Sequence, residues 1–159
     1  MEKKITELNN LYEPALATIE LLCKTLNSKK IDYKLGFYNN HEIKVNNQFV
    51  KEFYPIPVIS CKTNNIDIDI GIDLANDNNY IGFIELTLSK KDILSFDFYK
   101  LDSFDFEVYG LEDYLDDYYF GDLEKTKELI NYSTEKKFHI GINIKNINQI
   151  KTFIQKIRG

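Results

Sequence analysis

The sequence has no tryptophan, two cysteines, three prolines and a single arginine among its 20 basic residues. Each shortage excludes something. Cys23 and Cys61 are too few and too isolated for a disulfide framework or a structural zinc site. One arginine leaves little capacity for bidentate phosphate clamps. The net charge of −5 opposes non-specific nucleic-acid binding, which needs cations to displace counterions. No apolar run is long enough to span a bilayer. The opening MEKKITELNN has lysines but no apolar stretch after them, which predicts no signal peptide. The expected location is cytoplasmic. The seven glycines are dispersed and make no phosphate-cradling pattern, and no cofactor is expected.

What is present suits one globular domain over residues 1–159, with 43% hydrophobic and 28% charged residues. Ile5, Leu8, Tyr12, Ala15, Ile19, Leu22 and Leu26 recur in steps of three and four. That spacing predicts a helix near residues 3–28, kinked or broken at Pro14. From Ile31 the period becomes two, predicting a half-buried strand through Ile31, Tyr33, Leu35 and Phe37. Asparagine pairs, which tolerate left-handed backbone, punctuate the next segments: HEIKV, PVISCK, IDIDIGIDL and YIGFIELTL. Ser89 and Asp122 are expected helix N-caps. FDFEVY and the alternation of Phe138, Ile140, Ile142 and Ile144 predict two more strands, and an amphipathic helix capped by Asn146 closes the chain. The expected class is α+β: a mostly antiparallel sheet of about five to seven strands with helices packed on one face.

Two segments carry candidate chemistry. Asp67 and Asp69 lie two apart in a strand, on one face with Asp73, and such a pair can hold Mg²⁺. A third carboxylate would come from Glu85, expected to sit among apolar neighbours. The upstream stretch YPIPVISCKTNN lacks the glycine turn that nucleotidyl transfer calls for. Outward aspartates on a one-sided sheet are the competing reading, and the favoured one. Cys61 opposite His41 or His139 would make a nucleophile pair; a buried structural cysteine and a solvated His139 are the alternative.

The second segment is more unusual. Residues 97–122 hold nine acids against Lys100 alone, interleaved with aromatics. Phenylalanines can pack a core while acids stay solvated, but LEDYLDDYY offers more tyrosine and aspartate than one buried face can use. Tyrosine beside carboxylate suits a protein interface. Tyr109, Asp113, Tyr114, Asp116, Asp117, Tyr118 and Tyr119 are therefore the expected contacts for a basic protein partner. The function expected is a non-enzymatic binding module, with an immunity- or antitoxin-like role suited to a small acidic protein. A metal-dependent enzyme built on Asp67, Asp69 and Glu85 is the alternative.

QFVKEFYPIPVISCK and FEVYGLEDYLDDYY also carry a likeness. Tyr54, Pro55 and Pro57 entering a strand, then Tyr109, Gly110, Tyr114 and Tyr118, resemble a small family of domains of unknown function known mainly from archaea. The resemblance implies an α+β domain and carries over no activity or catalytic residue.

Overall fold

The computed structural model describes residues 2–38, 42–45, 48–53, 55–74, 80–110 and 122–158. Helix α1 (Glu2–Ser28) runs through Pro14 without interruption, correcting the expected break. Pro14 is exposed, so its ring displaces nothing packed, while Ala15, Ile19, Leu22 and Leu26 stay buried on one stripe. The helix closes on Lys30, whose φ of 57° is the left-handed conformation of a C-terminal cap.

Strand β1 (Tyr33–Tyr38) follows, then a separate two-stranded ribbon, β2 (Glu42–Val45) and β3 (Gln48–Phe53). Next come β4 (Ile56–Thr63) and β5 (Ile66–Ile72), joined at Asn64 and Asn65. Both asparagines have positive φ, 47° and 66°, as a tight I′ hairpin turn requires. Strand β6 (Gly82–Ser89) leads into α2 (Lys90–Leu94), capped by the Ser89 hydroxyl accepting from the Asp92 amide. A 3-10 turn (Phe98–Leu101) and β7 (Asp105–Gly110) follow. Asp122 caps α3 (Leu123–Tyr132) as expected. Strand β8 (Lys137–Ile144) and α4 (Ile147–Arg158) complete the order.

The main sheet has six strands in the order β1-β4-β5-β6-β8-β7, every neighbouring pair antiparallel. One face is apolar row by row. Ile59, Ile70, Ile84 and Ile142 lie in register, as do Ile68, Leu86 and Ile140, and all are buried. The core joins these rows to the α1 stripe and to Ile150, Phe153, Ile154 and Ile157 of α4. Phe96, Phe98 and Phe104 pack there too, with the Phe104 and Phe153 rings edge to face at 6.3 Å. A ring like Phe153, cut to alanine, costs about 3–5 kcal/mol. Phe98 and Phe104 of the acidic segment are thus core and Phe106 is half-buried, while Asp97, Asp102, Asp105 and Glu107 are exposed.

Strand β1 departs from the expectation of a half-buried strand. Leu35 and Phe37 share the helix-side face with Ile59 and Pro57, yet are 61% and 57% exposed. The cause is position: β1 is an edge strand, and α1 packs over β4 and β5. Among the described residues no helix is long and apolar enough to cross a membrane.

Candidate functional site

The other face of the sheet is polar, and strand register determines what meets there. One row runs Lys62, Asp67, Thr87, His139, Tyr109. The next runs Lys34, Ser60, Asp69, Glu85, Gly141, Glu107, and a third ends in Phe83, Asn143 and Asp105. Toward β7 these residues line an open hollow of about 510 Å³ with Asp73, Phe83, Glu85, Glu107, Tyr109 and Asn143 on its walls. Tyr80 closes one end, its hydroxyl donating to Asp105 Oδ2 at 2.8 Å. That hydrogen bond, and then the charge of Asp105, hold the Tyr80 phenol above its usual range.

Two glycines shape the surface. A Cβ on Gly71 would run into the ring of Phe83, and one on Gly141 would lie 3.2 Å from the Tyr109 ring. Each aromatic lies across a strand position left bare for it. Tyr109 uses that space to donate to Glu85 Oε2 at 3.1 Å. Glu85 Oε1 lies 3.3 Å from His139 Nδ1, which is also 3.1 Å from Thr87 Oγ1. The Tyr109 and His139 rings meet at 5.2 Å.

These contacts correct two expectations. His139 does point to the polar face, but it is only 5% exposed, and Tyr109, Glu85 and Thr87 contact it there. Glu85 is not set among apolar neighbours: Asp69 and Gly141 flank it across the sheet, and His139 and Tyr109 contact its carboxylate.

The sequence-predicted metal residues share the face but not one site. Asp69 stands directly opposite Glu85, and its Oδ1 accepts from the Ser60 hydroxyl at 2.6 Å. Asp67 is one row away, 3.8 Å from Lys62 Nζ in an exposed pair. Among the described residues, no three His, Cys, Asp or Glu side chains are grouped so as to hold a metal ion. Cys61 lies in register with Ile68 on the apolar face, on the opposite side of the sheet from His139. Burial, and then the charge of Asp69, push its thiol up to about 11, the reverse of nucleophile activation. His41 lies outside the described residues.

Of the predicted partner contacts, the structure places Tyr109 in the hollow. Asp113, Tyr114, Asp116, Asp117, Tyr118 and Tyr119 lie outside the described residues. Sequence reasoning missed Asp73, Tyr80, Asn143 and His139 as neighbours. Alternation pointed Asp73, Asn143 and His139 outward and gave no such signal for Tyr80; the insertion of β8 between β6 and β7 brings them together.

A six-stranded antiparallel sheet with an N-terminal helix and C-terminal helices is the architecture these elements define. A conserved hypothetical protein from the archaeon Pyrococcus furiosus has a similar fold, with a TM-score of 0.63 over 99% of this chain and 97% of that one. At 17% sequence identity the likeness is one of fold. Its archaeal source and α+β fold accord with the resemblance read from the sequence. No family model matches the sequence, nor does any curated protein.

Proposed function

We propose that this protein is a non-enzymatic binding module whose acidic, tyrosine-bearing surface docks a basic protein. The observation that carries the reading is the face of the sheet turned away from α1 and α4, which carries no helix among the described residues. Asp67, Asp69, Asp73, Glu85, Asp105 and Glu107 gather there, with Tyr80 and Tyr109 among them. Lysines stand at its margins: Lys34 and Lys62 toward β1, Lys137 at one end and Lys145 beside Tyr80. Such a surface attracts cations over a distance, and its aromatic edges supply contact area with few rotatable bonds to freeze.

The tyrosine–aspartate segment follows directly from Gly110 at the end of β7. In this reading Tyr114, Tyr118 and Tyr119, with Asp113, Asp116 and Asp117, supply further contacts to the same basic partner. An immunity- or antitoxin-like task fits, since it consists of masking a cationic protein. The test is a pull-down from the native cytoplasm, repeated at raised salt, beside titration with an oligolysine peptide. The expected result is salt-sensitive capture of a basic protein and salt-sensitive peptide binding. Absence of both would remove the reading.

A further inference from the structure

We propose that β1 is the seam of a two-fold dimer in which two copies of this chain join their sheets edge to edge. Among the described residues, β1 ends the sheet and pairs only with β4, in unbroken register over six residues. No described strand lies on its outer backbone edge, and proteins ordinarily blunt such an edge with charges, proline or a bulge. The other edge strand, β7, is blunted in this way: Asp105 and Glu107 are exposed along it. Strand β1, YKLGFY, has one charge, no proline and no bulge.

It instead carries two large exposed apolar side chains, Leu35 and Phe37. Leu35 and Phe37 project on the helix side, and Phe37 joins Tyr12, Leu16 and Pro55 in an open groove of about 370 Å³. Leu16 is itself 46% exposed. Leu16, Leu35 and Phe37, each about half exposed, offer on the order of 300 Å² of apolar surface per copy. With the paired backbone strips, two copies bury roughly 1,000 Å², the lower bound for a specific interface and that of a concentration-dependent dimer.

A second copy fits this edge better than an unrelated strand because the edge is self-complementary. A two-fold axis normal to the sheet continues the antiparallel order. Centred on Gly36, it sets Leu35 opposite Phe37 of the second copy, twice over. Lys34 then faces position 38 rather than another lysine, so no like charges oppose each other. The same axis keeps both α1 helices on one side and brings their Leu16 flanks toward the seam.

Sedimentation velocity on the full chain over roughly 1–500 µM tests this. The expected result is a monomer–dimer equilibrium that Leu35→Lys and Phe37→Lys each shift to monomer by at least about tenfold in Kd. Both positions are exposed in the monomer, and circular dichroism checks that the variants remain folded. Register is tested separately by Gly36→Cys, since a Cβ there meets nothing within 4 Å. Facing residues in an antiparallel pair have Cα atoms about 4.5–5.5 Å apart, within disulfide range. The variant should oxidise to a covalent dimer that wild type, with only Cys23 and Cys61, does not form. A wild type monomeric over the whole range, a dimer unchanged in both lysine variants, or no covalent dimer from Gly36→Cys would each overturn the proposal.

Discussion

Tyr109 on β7 donates to Glu85 on β6 although β8 lies between them. Two strand spacings, roughly 9–10 Å, separate their backbones, and the phenol crosses that gap over Gly141. Replacing Gly141 by alanine sets two effects against each other. A methyl group 3.2 Å from the Tyr109 ring displaces it and strains the bond to Glu85, a loss of about 1 kcal/mol. Relief of glycine's unfolded-state entropy returns roughly 0.4–1 kcal/mol. Gly141→Ala should therefore destabilise the wild type, yet stabilise a Tyr109→Ala background. Urea melts of the four proteins give the answer, and equal effects in both backgrounds would show that the ring does not depend on the glycine.

The aspartates of β5 should be dispensable for folding. Asp67 forms an exposed pair with Lys62, worth little, and asparagine at 69 can still accept from Ser60. Asp67→Asn with Asp69→Asn should shift stability by less than about 1 kcal/mol, with or without Mg²⁺. A bound ion would add stability by mass action. A melting temperature that Mg²⁺ raises strongly in wild type alone would revive the metal reading.

On the acidic face, charge and ring area should separate kinetically. Asp105→Asn with Glu107→Gln should mainly slow association with a basic partner, and the effect should fade as salt shortens the Debye length below about 8 Å. Tyr114→Ala or Tyr118→Ala should instead speed dissociation, by about 1–3 kcal/mol for an interface anchor. Stopped-flow binding at two salt concentrations distinguishes these outcomes. A charge variant that binds at wild-type rate in low salt would contradict the steering role.

Cys61 gives a pH signature. Its thiol ordinarily loses its proton near 9 and in the fold holds it to about 11. Between those values the native state binds a proton that the unfolded chain has released, so this residue's contribution to stability is lost as pH rises through that window. In a Cys23→Ser background, maleimide labelling at neutral pH should be far slower for folded than for urea-unfolded protein. Rapid labelling of the folded form would mean that the thiol is activated after all.

The sheet was legible because its signals are local. Alternation placed β4 to β8, and the left-handed tolerance of Asn64 and Asn65 placed a hairpin. Side-chain caps at Ser89, Asp122 and Asn146 began helices where expected. Tertiary context governed the rest. Pro14 reads as a break by propensity, yet the stripe on either side of it packs on one sheet and holds the helix together. Leu35 and Phe37 alternate like core residues, and only β1's place at the edge leaves them exposed. Strand β3 (Gln48–Phe53) has no strong alternation of its own, so the turn expected at Asn46-Asn47 was the one local sign of its pairing with β2. The candidate site was least legible, since His139, Glu85 and Tyr109 lie far apart in sequence and meet only through strand order.

That order also imposes a schedule on the nascent chain. Strand β7 is made before β8, yet among the described residues its one strand partner in the sheet is β8. Until residue 144 has left the ribosome, β6 offers an open edge and Val108 has no strand beside it. Docking β8 then completes both pairings at once and brings Ile140 and Ile142 into the core together. The docking of β8 should thus be a cooperative step, with chains stopped short of β8 left exposed to aggregation and proteolysis.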